Sequence, residues 1–265
     1  MLLSALRGAV GFLTRVRVSG DQADWRAFTD APWAFPVVGA GVGLLLGALT
    51  ALLHWVGLGG ATGVLFLAVL LALLGIAHFE GVADLGDAVV VHGDAETRVE
   101  VLKDSDVGVG AVVALVLALL GTASVVGSLG ALPARQVVAV VTAAEIGAKT
   151  AMAGIACLGT ARHEGLGSQF TEWNGRRELG GVTLVALALW LPLLAVAPGP
   201  ASVVTGAFLG ALLGGGLLAY WANSLLAGVR GDIFGAVDVT GRLVGLYAAV
   251  AVARLLGAVG TGVAG

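Results

Sequence analysis

Charge is what this sequence has least of. Of 265 residues, 14 are Lys or Arg and 17 are Asp or Glu, so charged residues make up 12%. Soluble globular chains carry about 25%. The formal net charge is −3, too small to argue for a nucleic-acid partner. Cys157 is the single cysteine, which excludes an intramolecular disulfide and a cysteine-based metal site, and it reads as a small core residue. No sequence repeat and no low-complexity tail is present. Arg7 interrupts the N-terminal apolar run and no A-x-A site follows it, so no removable signal peptide is expected. What is present is apolar: 58% hydrophobic residues, 43 glycines and a mean hydropathy of +0.99. A disordered chain and a soluble enzyme are both excluded. The composition predicts an all-α, polytopic integral membrane helical bundle in one domain, 1–265.

A membrane-spanning helix needs about 20 apolar residues. Seven stretches qualify, near 34–53, 61–77, 108–128, 136–158, 180–197, 202–222 and 243–262. The fifth and sixth belong to one uncharged run, divided by Pro198-Gly199-Pro200. Residues 2–16 carry Leu2, Leu3, Leu6, Ala9, Val10 and Leu13 at helical spacing with Arg7 and Arg15 between them, which predicts an interfacial helix rather than a span. With the N-terminus inside, the cytoplasmic segments hold 11 Lys/Arg and the external loops only Arg135. The positive-inside rule then predicts a multi-pass protein of the cell membrane, N-in, with its polar, active face cytoplasmic. Helices in lipid associate through small residues. Gly39, Gly41, Gly43 and Gly47, and Gly206, Gly210 and Gly214, are the expected seams.

Eight of the 17 acidic residues lie between Glu80 and Asp106. Glu80, Asp84 and Asp87 fall at i, i+4 and i+7, on one face of a helix. Three like charges so placed call for a cation, and a hard divalent ion such as Mg²⁺, with its preference for oxygen ligands, is the natural one. A solvated acidic loop is the competing reading. The following stretch offers Arg98 and Lys103 to neutralise phosphate oxygens and Asp104 and Asp106 to join the metal shell. Ser105 would cap the next helix, whose N-terminus favours anions. Ordinary interfacial charge at a helix start is the alternative. Glu145 and Lys149 sit four apart inside the fourth span, either as a self-neutralising pair or with Lys149 reaching a substrate phosphate.

These segments, in this order, resemble the cobalamin synthase family. Phe12-Leu-Thr14-Arg15 and Phe35-Pro36-Val-Val-Gly39 match its early motifs. His78-Phe-Glu80-Gly81-Val-Ala83-Asp84-Leu-Gly-Asp87 looks like its acidic signature, with Glu80 in place of Asp. Arg98-Val-Glu100-Val-Leu-Lys103-Asp104-Ser105, Glu164-Gly165-Leu166-Gly167 and Gly228-Val-Arg230-Gly231-Asp232-Ile-Phe-Gly235-Ala236 match three further stretches. Arg230 stands where the family has Thr, Lys149 where it has Arg, and Asp238 is one position out of register with a family acid.

The resemblance implies a transferase of cobalamin biosynthesis, which joins adenosylcobinamide-GDP to α-ribazole or its 5′-phosphate with release of GMP. Such chemistry rests on positioning and charge neutralisation. Mg²⁺ would be held by Glu80, Asp84 and Asp87, with Asp104 and Asp232 as further ligands. Lys103, Arg98 and Arg230 would stabilise phosphate oxygens. His78, or a carboxylate not engaged by metal, would accept the ribazole proton. The partners implied are the corrinoid-GDP and ribazole substrates and membrane lipid. Two rival readings are a CDP-alcohol phosphotransferase, whose D-G-x-x-A-R motif is missing here, and a secondary transporter using Glu145 and Lys149.

Overall fold

The computed structural model describes residues 1–18, 20–102, 106–197 and 199–257. Among these, all regular structure is helical. Two short helices come first, α1 (Leu2–Leu13) and α2 (Gln22–Thr29). Ala5, Ala9 and Leu13 form the buried stripe of α1, and Asp21 caps α2 by accepting from the Ala23 and Asp24 amides at 2.9 Å. The first long apolar run is α3 (Ala34–Trp55). The next breaks in two: α4 (Gly59–Leu74) and α5 (Ala77–Val90) meet at 102°. Gly75, with φ +79°, occupies the left-handed backbone region that this break requires. The short α6 (Ala95–Val101) precedes α7 (Val109–Ser128) and α8 (Ala134–Leu158). A six-residue helix α9 (Leu166–Thr171) leads to α10 (Arg176–Val196), α11 (Ala201–Leu225) and α12 (Gly231–Leu255).

Six of these helices are long and apolar enough to cross a membrane, and a seventh crossing is counted if the bent α4–α5 pair is one span. The fold is that of a helical membrane protein. The stretch expected at 61–77 is a 16-residue helix that stops at the bend, so α5 runs across the direction of α4 rather than along it. The last apolar run begins earlier than its hydropathy indicates, at Gly231 rather than 243. Asp238 and Arg242 lie inside α12 and are buried, so Arg242, one of the 11 basic residues assigned above to the cytoplasmic segments, belongs to the interior. The break expected at residues 198–200 involves Pro198, which lies outside the described residues; α10 ends at Val196 and α11 begins at Ala201.

The axis of the bundle is α8, buried over 89% of its apolar window and packed against α3, α10, α11 and α12. Backbones approach closely there. A Cβ on Gly39, Gly43 or Gly47 would stand 2.8, 2.6 or 2.9 Å from α8 backbone atoms at Glu145, Thr142 and Val138. On α11, Gly206, Gly210 and Gly214 meet Val252, Ala248 and Val244 of α12. Gly41 is no part of the first seam, since a Cβ there would meet nothing within 4 Å. Below the end that carries α1, α2 and α9, the rings of Phe12, Trp25, Phe28, Phe35, Phe170 and Phe234 pack with centroids 5.0–6.4 Å apart. This aromatic cluster fixes the short helices to α3 and α12.

Candidate active site

The site is built where α5 crosses the start of α12. Glycine permits the crossing. A Cβ on Gly81 would lie 2.2 Å from the Asp232 carbonyl oxygen, and one on Gly235 would lie 2.8 Å from the His78 Cα. Each helix thus presses its backbone into the glycine of the other.

At 100° per residue, Glu80, Asp84 and Asp87 occupy an arc of about 60° on α5, while His78 lies more than 100° away. The two arcs face different surroundings. Glu80 is exposed and Asp84 half-buried, whereas His78 is buried. Partial burial pushes the Asp84 carboxyl up to about 6, and the negative charges of Asp232, Glu80 and Asp87 add to the shift. Asp232, in the first turn of α12, is therefore brought to the α5 carboxylates, as its place in the sequence pattern implied.

Asp87 already has partners. Its Oδ2 accepts from the Gly108 amide at 2.8 Å and its Oδ1 from the Ala111 amide at 2.9 Å. It caps α7 from another helix, and a Cβ on Gly108 would displace the carboxylate from that position. Arg98 is likewise engaged: its Nη1 donates to the Ala88 carbonyl at 2.8 Å, which ties α6 to the C-terminal turn of α5. Lys103, Asp104 and Ser105 lie outside the described residues. Arg230 precedes α12 with its Nε buried and unbonded. A Cβ on Gly167 would meet the Val229 carbonyl at 2.7 Å, so the Glu164–Gly167 turn packs directly on the Arg230 segment.

Beneath the site lies an ionic network that sequence reasoning saw only in part. Lys149 Nζ donates to Glu145 Oε2 and to Asp238 Oδ1, each at 2.7 Å. Arg242 donates through Nε to Glu145 and through Nη2 to Asp238 Oδ2 at 2.6 Å. His78 Nδ1 stands 2.8 Å from Asp238 Oδ2. All five side chains are buried, and the two acids balance the two bases. Lys149 is thus held in the interior by two carboxylates, and His78 is turned into the bundle, away from the acidic arc. Asp238 and Arg242 were missed as site-supporting residues. The signal that would have found them is the same i, i+4 pair of opposite charges that marked Glu145 and Lys149.

Among the described residues no three His, Cys, Asp or Glu side chains form a preassembled metal cage. The donor chemistry nevertheless fits Mg²⁺, which commonly uses one or two carboxylates, several waters and substrate phosphates. Asp232 and Glu80, the two carboxylates whose charges add most to the effect of burial on Asp84, are the donors such an ion would use.

Residues 5–250 match the cobalamin-5-phosphate synthase family. Among curated relatives named adenosylcobinamide-GDP ribazoletransferase, one from Halorubrum lacusprofundi is 45% identical over 94% of this chain and 98% of its own. One from Halobacterium salinarum is 49% identical over 73% of this chain and 94% of its own. A third, from Haloquadratum walsbyi, is 37% identical over 95% and 99%. No solved structure matches.

Proposed function

The chain belongs to the cobalamin-5-phosphate synthase family, and we propose that the crossing of α5 with the start of α12 is the place where its chemistry is done. The activity is that of an adenosylcobinamide-GDP ribazoletransferase of cobalamin biosynthesis, a transferase in a membrane bundle. A ribazole hydroxyl attacks the phosphorus on the cobinamide side of the diphosphate, the bridging P–O bond breaks, and GMP leaves. The observation that carries the placement is the seating of Gly81 of α5 against the Asp232 carbonyl, which brings Asp232 to the α5 carboxylates with the unbonded Arg230 Nε two residues before it in the chain.

Asp232 and Glu80 would hold Mg²⁺, which when bound neutralises diphosphate charge. Arg230, with a donor lacking any partner in the protein, meets a phosphate oxygen of the leaving GMP. Asp84, raised towards neutrality, accepts the proton of the attacking hydroxyl. His78 supports this arrangement from the other side of α5 through its bond to Asp238. Asp87 and Arg98 keep α5 in register with α7 and α6. Among the described residues, nine basic residues remain on the loop-rich face once Arg242 is placed in the interior, against two, Arg135 and Arg254, at the other. That bias supports an N-in topology in the cell membrane and a cytoplasmic active face.

The test is Mg²⁺-dependent release of GMP from adenosylcobinamide-GDP and α-ribazole by the purified chain in lipid nanodiscs. Asp84→Asn, Asp232→Asn and Arg230→Met are each expected to lower turnover at least tenfold. Undiminished turnover in Asp84→Asn and Asp232→Asn would move the chemistry elsewhere in the bundle.

A further inference from the structure

A concave region with a volume of about 590 Å³ opens at the end of the bundle that carries α6. Small-ligand sites commonly run from roughly 300 to 1,000 Å³. Its walls come from three segments: α6, the turn after α8, and the turn after α11. The charged lining is uneven. Glu96 and Glu100 stand one helical turn apart on α6, and Arg162 and His163 belong to the turn after α8.

These charges share a cavity yet leave one another alone. Among the described residues no ion pair and no side-chain hydrogen bond engages Glu96, Glu100, Arg162 or His163. Asp94, the third acid of the lining, is occupied: its Oδ1 accepts from the Thr97 amide and hydroxyl at 2.9 and 2.8 Å. Two like charges at i and i+4 weaken a helix, and α6 has only seven residues. These exposed side chains put two solvated carboxylates on one wall of the cavity and a solvated guanidinium on another, charges of both signs that a ligand between them could meet.

The ligand must offer donors to the carboxylates and acceptors to the guanidinium. Guanine does both. Its N1–H and N2–H₂ form a double-donor edge that matches a carboxylate, and its O6 and N7 form a double-acceptor edge that matches Arg. Adenine has an acceptor at N1 and a donor in place of O6, so it would meet both partners with the wrong sign. Position agrees with this. Val99 lines the cavity, and its neighbour Arg98 is bonded to the Ala88 carbonyl, four residues or about 6 Å along α5 from Asp84. Ala227 lines it as well, and the five residues from there to Asp232 span at most about 17 Å. That upper bound is of the order of the length of a nucleoside diphosphate, whose base would lie here with its phosphates at the α5–α12 crossing.

We propose that this cavity is the guanine subsite of the donor substrate, with Glu96 and Glu100 reading the N1–H/N2–H₂ edge and Arg162 the O6/N7 edge. The proposal rests on the ribazoletransferase reading and adds to it the groups that select the base. They act by recognition and take no part in the displacement.

The experiment compares adenosylcobinamide-GDP with its ADP-linked analogue as donors, using the full chain in nanodiscs with Mg²⁺ and α-ribazole. Wild type is expected to favour the guanine donor in kcat/KM by at least tenfold. Glu96→Gln/Glu100→Gln and Arg162→Met are expected to raise KM for that donor about tenfold, hold kcat within about twofold, and narrow the preference towards unity. All three residues are exposed, so these exchanges leave the fold intact. Equilibrium binding of GMP against AMP, without ribazole, reads the same selectivity independently of turnover. A guanine preference retained in both variants, with turnover intact, overturns the subsite and leaves the transferase reading standing. A folded wild type that turns over neither donor overturns the transferase reading itself.

Discussion

Removing two members of opposite sign from the buried network should cost clearly less than the sum of removing each alone. Lys149, Asp238, Glu145 and Arg242 sum to zero charge in a space that water does not reach. Asp238→Asn takes one acid away and leaves a net positive charge among groups that had been matched. It weakens the bonds to Lys149, Arg242 and His78 together. Breaking a buried pair by removing one partner costs about 3–5 kcal/mol. Lys149→Met should cost a similar amount with the opposite residual charge. The double variant keeps Glu145 and Arg242, which are bonded directly to each other, and restores neutrality. Its cost should fall short of the sum of the single costs by about 2 kcal/mol or more, a large coupling for a double-mutant cycle. Unfolding by SDS titration in mixed micelles, followed by tryptophan fluorescence, gives the three differences. Single costs below about 1 kcal/mol, or a double cost equal to the sum, would refute the account of a charge-balanced interior.

Asp84 should trade stability against activity. A carboxyl raised from 3.8 to about 6 is favoured protonated in the folded state, so its stabilising contribution is present at low pH and is lost as pH rises through that interval. The full shift corresponds to about 3 kcal/mol, and solvent screening of a half-buried side chain reduces this to about 1 kcal/mol. Asp84→Asn should therefore melt higher than wild type at pH 7.5 by that amount while losing turnover, and an unchanged or lowered melting point counts against the crowding. The same titration predicts a wild-type rate that climbs through about pH 6 and a plateau above it; a rate already flat from pH 5 to 8 would remove Asp84 as proton acceptor. Gly81→Ala should separate α5 from α12, since the new Cβ meets the Asp232 carbonyl, and should depress turnover more than tenfold with the bundle still folded. On the proposal that Asp232 holds Mg²⁺, Asp87→Ala, which uncaps α7, should lower stability by about 1–2 kcal/mol yet keep a rise in melting temperature on adding Mg²⁺, and Asp232→Asn should lose it; a rise that survives in Asp232→Asn would remove Asp232 as a ligand.

How far the sequence could be read depended on whether a feature was local. The seam at Gly39, Gly43 and Gly47 is legible because small residues four apart make one stripe on any helix, and the structure puts α8 against it. Gly41 is the counterexample, since composition alone does not say which glycines face a neighbour. The acidic arc of α5 was legible for the same periodic reason. The capping role of Asp87 was not, because the amides it accepts from are at Gly108 and Ala111, far along the chain. The short helices α2 and α9 carry no long apolar run, so hydropathy passed over them. The start of α12 was misplaced by about three turns because hydropathy treats Asp238 and Arg242 as groups that seek water. In the folded chain they seek Lys149 and Glu145 instead.

The helix α5 joins the two charge systems, and its 14 residues explain why both are needed. One side, through His78, is bonded to Asp238 in a neutral and rigid interior. The other side gathers like charges that repel one another and raise Asp84. A helix presenting only the acidic arc would be pushed off α12 by Asp232, whose charge acts on Asp84 more strongly than that of any other carboxylate. Three restraints oppose that push: the glycine contacts at Gly81 and Gly235, the bond from His78 to Asp238, and the Asp87 cap on α7. The repulsion is therefore stored between helices that cannot separate, and it is available to any cation or proton that relieves it. Diphosphate displacement requires such a site, because negative charge must be met at the moment the P–O bond breaks.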